Sequence, residues 1–206
     1  QEIAAIEAMG VQMVPNFRVG VDATFETITA NHDATVVAIG AWKSMGVGCP
    51  GEELEGVWGG IHLLREIALG NRPNIGEKVC IMGGGNTAMD ACRTAVRLGA
   101  KEVYVVYRRT EKEMPAEQLE IDEAKEEGVI FKFLTNPAEI LGEDGKVSAV
   151  KLQIMELGEP DASGRRSPVA VEGKFEILPV DNVICAIGQK VNVKGFEEVE
   201  LNAKGI

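Results

Sequence analysis

The stretch that most constrains this chain is VCIMGGGNTAMDACRTAVRLGAKEVYVVY, residues 79–107. VCIM is a short apolar run of strand type, and GGGN is a tight turn. The following segment has helical spacing, with Ala88, Ala91, Cys92, Ala95 and Val96 on one face and Gly99 as its stop. EVYVVY is a second buried strand. Strand, glycine turn, helix and strand make a βαβ unit, and Gly83-x-Gly85-x-x-Ala88 matches the dinucleotide pattern G-x-G-x-x-G/A. Each position has a physical reason. Gly83 permits the tight turn. Gly85 lacks a Cβ, so a pyrophosphate can approach the backbone. Ala88 lets the helix lie close to the strand. The free N–H groups and positive dipole end near Asn86 and Thr87 then face the anion.

The second strand bears on which dinucleotide binds. NAD-specific sites place a carboxylate at the end of this strand to hold the ribose 2′-OH. Here the strand runs into Tyr107-Arg108-Arg109. Two guanidiniums suit a 2′-phosphate, so the spacing predicts NADP(H) rather than NAD(H). Asp90 is read as an acidic residue of the first helical turn that serves the dipole rather than the ligand.

The rest of the chain sets limits. With 206 residues and a formal net charge of −11, it is a poor match for nucleic acid or an anionic membrane, both of which need a clustered basic surface. No apolar run reaches the roughly 20 residues needed to cross a bilayer. Cys49, Cys80, Cys92 and Cys185 form no CxxC pair, so no metal site is expected. Cys80 and Cys185, inside apolar runs, read as small buried hydrophobes, and cytoplasm is the expected compartment. His32 and His62 have no partner at triad or metal spacing and read as structural. No catalytic acid, base or nucleophile is expected.

Upstream, residues 2–9 suit a short helix. VQMVPNFRVG and DATVVAIG read as strands, and IHLLREIAL reads as a helix ending at Gly70. Trp42 and Trp58 flank the PGEELEG loop and are expected to pack rather than stack on a flavin. NRPNIGEK reads as a hinge. Downstream, Met114-Pro115-Ala116 is expected to start a helix, with residues 111–127 presenting a solvated acidic face. From Val129, VIFKFL, KVSAVKLQIMEL and KFEILPV read as strands with no helix between them, an antiparallel excursion. Arg165 and Arg166 fall in the turn GEPDASGRRSP, as surface charges or facing a partner or cofactor. DNVICAIG then repeats the design of DATVVAIG.

GGGNTAMD, YRRTEKEMPA, LGEPDASGRRSP and DNVICAIGQ together closely resemble the small (β) subunit of NADPH-dependent glutamate synthase. The NADPH-to-flavin half of dihydropyrimidine dehydrogenase and the ferredoxin:NADP oxidoreductases of transhydrogenase type share parts of the pattern. The resemblance implies an α/β fold with a Rossmann-like NAD(P)-binding domain of the glutathione-reductase type, a parallel sheet with an antiparallel excursion, and part of an FAD-binding domain. It implies residues 1–75 as a partial FAD-domain segment, 76–190 as the NADPH domain and 191–206 as a return toward the FAD domain. It implies that NADPH gives a hydride to FAD and that electrons pass through iron–sulfur clusters, outside this chain, to a large glutamate synthase subunit or another acceptor. Gly84, Gly85, Asn86 and Thr87 would hold the pyrophosphate, with Gly83 shaping the turn. Arg108 and Arg109 would hold the 2′-phosphate, and Ala186, Ile187 and Gly188 would approach the nicotinamide.

The family's FAD glycine fingerprint, cysteine-rich cluster domain and closing Gly-Asp segment are not in these residues, and the sequence starts at Gln1. The expectation is therefore a fragment that keeps the NADPH site, binds FAD poorly and is inactive alone. Thioredoxin reductase shares the nested fold but carries a CxxC that is missing here. A non-catalytic NADP-binding scaffold is the alternative from another functional class.

Overall fold

The computed structural model describes residues 2–160 and 166–202. Contacts divide the chain into a smaller unit, formed before Trp42 and after Lys190, and a larger unit, Trp42–Lys190. The expected boundary at residue 76 falls inside the larger unit.

In the smaller unit, helix α1 (Glu2–Ala8) forms where its spacing suggests, and a further helix, α2 (Phe25–Ala30), forms where none was expected. The Thr24 hydroxyl caps α2 by accepting the Thr27 N–H at 3.1 Å. The His32 ring bonds the Ile28 carbonyl at 2.7 Å, a local contact. The rings of Phe25 and Phe196 pack 5.4 Å apart. The two strands expected here do not form. Residues 11–20 contain one isolated bridge, Val19 to Ala23, and a turn at Asn16 with φ 59°. Residues 33–40 form no regular element and join no sheet, and Val36 is 88% exposed. An apolar run becomes a strand only when a neighbour takes its N–H and C=O groups along its length; among the described residues the first run has only the local bridge to Ala23 and the second joins no ladder.

The larger unit is built on a five-stranded parallel sheet. Its strands are β2 (Val57–Gly59), β3 (Lys78–Met82), β4 (Glu102–Tyr107), β5 (Ile130–Phe133) and β9 (Asn182–Cys185). They lie in the order β2-β9-β3-β4-β5. Helices α3 (Gly60–Ala68), α4 (Asn86–Arg97) and α5 (Gln118–Glu126) make the crossovers. The remaining strands β6 (Thr135–Glu143), β7 (Lys146–Pro160) and β8 (Arg166–Pro179) form the antiparallel excursion. A short pair, β1 (Lys43–Ser44) and β10 (Gln189–Lys190), closes one edge.

Period-two alternation gives each face of the parallel sheet its own core. Val79 and Ile81 of β3 pack with Leu63 of α3, Met89, Ala91 and Ala95 of α4, and Ile121 and Ala124 of α5. Cys80 and Met82, pointing the other way, pack with Ile140, Val150, Leu152 and Leu178 of the antiparallel sheet. Both faces are covered, which is why the parallel strands read as continuous apolar runs. Cys80 and Cys185 are buried there as expected.

Three details depart from the sequence reading. VIFKFL belongs to the parallel sheet, where Tyr104–Tyr107 pair with Ile130–Phe133, and not to the excursion. The excursion begins with β6, a strand the reading did not place; its proline and glycine lowered its strand signal, yet β7 pairs along it. Met114–Ala116 is not helical. The chain makes a 3-10 turn at Glu111–Glu113, continues extended, and starts α5 only at Gln118.

The repeated design also divides. DNVICAIG becomes β9 while DATVVAIG does not. Asp181 supplies part of the difference, because its carboxylate accepts the N–H groups of Glu77 at 2.7 Å and Lys78 at 2.8 Å. The segment read as a hinge, 71–78, is thereby tied to the start of β9.

Candidate functional site

The glycine turn leaves β3 at Met82 with its backbone tied to both neighbouring strands. The Gly83 N–H donates to the Val106 carbonyl at 3.1 Å, and the Ala186 N–H donates to the Met82 carbonyl at 2.8 Å. The three glycines serve different ends. Gly83 has φ +142°, and a Cβ there would lie 2.3 Å from the Ala186 carbonyl oxygen. A Cβ on Gly84 would lie 2.7 Å from the Tyr107 ring. At Gly85 the nearest atom to an added Cβ is Pro115 Cγ, 3.8 Å away. Two glycines thus pack the turn against protein, while at the third an added Cβ would make only an ordinary contact, which leaves room beside the backbone.

Gly85 also starts α4. Its carbonyl accepts the N–H groups of Ala88 at 2.9 Å and Met89 at 3.2 Å, but no side chain caps the helix. The N–H groups of Asn86 and Thr87 find no acceptor among the described residues. A 12-residue helix with an uncapped N-terminus after a glycine turn presents free N–H groups and a positive dipole end, an arrangement able to hold an anion. Asp90 lies beyond the first turn, which contains no acidic residue, so its expected place at the dipole end is corrected.

The surroundings frame this terminus from two sides. The Ala116 N–H donates to the Gly84 carbonyl at 3.2 Å, and the Glu117 N–H donates to Asn86 Oδ1 at 3.1 Å. The segment read as a helix start is therefore extended because its backbone is used to hold the glycine turn. Opposite, Gln189 Nε2 donates to Thr87 Oγ1 at 3.2 Å. Gln189 follows Ala186, Ile187 and Gly188. Ala186 is buried against the turn, Ile187 is exposed, and the Gly188 carbonyl accepts the Met45 N–H at 3.0 Å.

The arginines follow β4 directly. Arg108 is exposed and makes no hydrogen bond or ion pair among the described residues. Arg109 is held at two points: its carbonyl accepts the Leu134 N–H at 3.0 Å, and its Nε donates to the Arg166 carbonyl at 3.0 Å. Its two terminal nitrogens have no partner among the described residues. The Arg166 side chain donates to the carbonyls of Gly158 at 2.8 Å and Leu157 at 2.7 Å, so it braces the β7–β8 hairpin. Arg165 lies outside the described residues.

Sequence reasoning missed the residues under this corner. Tyr107, below Gly84, donates its hydroxyl to the Glu113 carbonyl at 2.7 Å. Thr110 and Glu113 form a capping box: the Thr110 N–H reaches the Glu113 carboxylate at 3.1 Å and its hydroxyl reaches it at 2.5 Å. The Thr110 hydroxyl holds the Glu113 carboxyl below the usual range. The spacing T-x-x-E was the available signal, hidden inside a run taken for a solvated helix face. Part of that run is structural elsewhere too: Arg93 pairs with Glu123 at 2.5 Å and with Glu127 at 2.8 Å, joining α4 to α5.

Beside the end of β9 lies a cleft of about 380 Å³, lined in part by Trp42, Lys43, Trp58, His62 and Cys185. Trp58 donates its indole N–H to Asn182 Oδ1 at 3.0 Å and stacks on His62, so both have structural partners. Among the described residues no group of His, Cys, Asp or Glu could hold a metal ion, and no helix is long and apolar enough to cross a membrane.

Comparison with known proteins agrees with this geometry. The family model described as pyridine nucleotide-disulphide oxidoreductase matches residues 4–206. The chain is 43% identical over 209 residues to the NADP(+)-dependent formate dehydrogenase subunit beta of Moorella thermoacetica, a match covering 99% of this chain and 29% of that protein. It is 39% identical to the glutamate synthase [NADPH] small chain of Halomonas elongata, covering 98% of this chain and 45% of that one. The resemblance read from the motifs is thus borne out. The chain spans less than half the length of these relatives. In fold it is similar to Mycobacterium tuberculosis FprA in complex with NADPH, with a TM-score of 0.76 at 22% identity over 84% of this chain and 54% of that one.

Proposed function

From a chain that belongs to the pyridine nucleotide-disulphide oxidoreductase family, we propose an NADPH-docking module that delivers hydride to a flavin in an oxidoreductase similar to the glutamate synthase small chain. One observation carries the reading. The uncapped start of α4 after Gly85, where an added Cβ would meet only Pro115 Cγ at 3.8 Å, lies one strand away from the exit of β4; there, among the described residues, Arg108 is unpaired and Arg109 keeps two free guanidinium nitrogens.

The residues fit the dinucleotide. The N–H groups of Asn86 and Thr87 would hold the pyrophosphate, with Gly85 letting it approach the backbone, Gly84 seating the turn on the Tyr107 ring and Gly83 shaping it. Arg108 and Arg109 would take the 2′-phosphate. Ala186, Ile187 and Gly188, at the exit of β9, would border the nicotinamide. When bound, NADPH supplies the hydride. This chain's own residues bind and orient it, and none has to act as an acid or base.

The wider assignment belongs to the same reading. Residues 1–75 and 191–206 would be parts of an FAD-binding domain, and 76–190 the NADPH domain. Electrons would leave the flavin through iron–sulfur clusters to a partner subunit. The relatives' names pair NADP(H) with glutamate synthase in one case and formate dehydrogenase in the other, so the NADPH end is the shared part. A large glutamate synthase subunit is the partner that the motif resemblance favours. Cytoplasm is the proposed location, supported by four unpaired cysteines.

Titration of the protein with NADPH and NADH tests the reading. NADPH should bind at least about tenfold more tightly, the equivalent of one charge-assisted contact to the 2′-phosphate. Equal affinities would reject the arginine assignment.

A further inference from the structure

We propose that Arg166 is a positioning residue for NADP specificity, acting through Arg109. The inference rests on the reading of Arg109 as a 2′-phosphate ligand. Arg166 stands at the start of β8, 57 positions along the chain from Arg109. It makes two kinds of contact at once. Its backbone carbonyl accepts Arg109 Nε at 3.0 Å, and its own guanidinium donates to Gly158 and Leu157 on the facing strand at 2.8 and 2.7 Å.

The brace has a local reason. The β7–β8 ladder is irregular between Leu157 and Pro160, so regular pairing is interrupted where Arg166 sits opposite Pro160. Proline donates no ladder hydrogen bond. The Arg166 side chain supplies donors to the Leu157 and Gly158 carbonyls at that irregularity. With the hairpin held, the Arg166 carbonyl is a fixed acceptor.

The consequence falls on Arg109. A free arginine side chain loses rotamer entropy when it is immobilised on a ligand. With Nε already hydrogen-bonded, the plane of the fork is set in advance. The backbone of Arg109 is fixed as well, since its carbonyl accepts Leu134 N, and the Leu134 carbonyl in turn accepts Met155 N at 2.8 Å from β7. The antiparallel excursion therefore does more than cover the sheet: it fixes both ends of the arginine that follows β4.

The test uses the full-length protein and measures Kd for NADPH and for NADH in the wild type, Arg109→Ala, Arg166→Ala, Arg166→Lys and the double alanine variant. Arg166→Ala is expected to weaken NADPH by about fivefold to tenfold, the loss of one well-placed charged hydrogen bond, with NADH unchanged. The double variant is expected to be no weaker than Arg109→Ala, because Arg166 acts through Arg109. Arg166→Lys is expected to behave like the alanine variant, since one ammonium cannot reproduce the guanidinium fork; it serves as the folded comparison if Arg166→Ala does not fold. A hairpin brace with no role in recognition would leave the NADPH/NADH ratio of every folded Arg166 variant unchanged, or add its effect to that of Arg109→Ala. Either result overturns the proposal while the Arg109 assignment stands. If Arg109→Ala itself leaves the ratio unchanged, the underlying reading falls and this proposal with it.

Discussion

Gly84 sits on the ring of Tyr107, with 2.7 Å between the place of a missing Cβ and ring atom Cδ2. This contact joins the glycine turn to the strand that ends in the arginines. Gly84→Ala should push the ring from its place and cost about 1–3 kcal/mol, the usual penalty for overpacking. Gly85→Ala should behave in the opposite way. Its φ is −97° and an added Cβ would meet only Pro115 Cγ, at 3.8 Å, so folding should change by under about 1 kcal/mol. NADPH binding should fall sharply, because the new methyl occupies the approach to the backbone. Thermal unfolding and NADPH titration of the two variants separate a packing glycine from a ligand glycine. Equal stability losses would refute the distinction.

Asp181 offers a second test, of the fold rather than the site. Its carboxylate is the acceptor for two consecutive backbone N–H groups, those of Glu77 and Lys78. Asp181→Ala removes both bonds and should cost about 1–2 kcal/mol in chemical denaturation. Asp181→Asn keeps one acceptor oxygen and should cost less. Since β9 also carries Ala186 against the glycine turn, NADPH affinity is expected to fall in parallel with stability.

How far the sequence could be read depended on whether each residue's reason was local. The β3–α4–β4 unit was legible because glycine conformations, a helical stripe and buried strands are encoded within a few positions. The tight turn at Gly83 was legible from spacing, yet the packing role of Gly84 needed the structure, because its neighbour Tyr107 comes from the next strand. DATVVAIG and DNVICAIG look alike, but only the second lies between two partner strands, which period and propensity do not report. VIFKFL was identified as a strand and given to the wrong sheet, since pairing partners are non-local. Met114–Ala116 carried a helix-start signal that was overridden by hydrogen bonding to the glycine turn. The role of Arg166 could not be read at all: it depends on backbone carbonyls supplied by another strand and on a bond to Arg109.

The Thr110–Glu113 box makes a prediction about pH. The Thr110 hydroxyl, its first cause, lowers the Glu113 pKa in the folded chain. A carboxyl with a depressed folded pKa adds stability above its unfolded value of about 4.3 and loses it as pH falls through the folded value. Wild type should therefore unfold at a higher temperature than Glu113→Gln at neutral pH. The gap should narrow as pH drops below about 4.3 and close in stronger acid. Glu113 also positions the carbonyl that Tyr107 holds, so the variant should loosen the corner beneath Gly84 and weaken NADPH. A temperature gap that stays constant across this range would show that the carboxylate is not part of the box.

The cysteines supply a prediction about reactivity. Burial pushes the Cys92 thiol up to about 12 and the Cys185 thiol up to about 11, and it raises Cys80 further still. Cys49, half-buried, is raised by burial and then by the nearby Glu52 carboxylate. Thiolate, not thiol, attacks a disulfide reagent, so none of these groups is primed near neutral pH. With a chromogenic disulfide reagent at pH 7.5, the folded protein should show no rapid phase. Cys49 should be labelled slowly and first, and the other thiols should appear together when denaturant unfolds the larger unit. Cys49→Ser should remove the slow native phase and leave the denatured signal one thiol lower. A rapid native phase that survives this substitution would place a thiolate at Cys80, Cys92 or Cys185, which burial at those positions opposes.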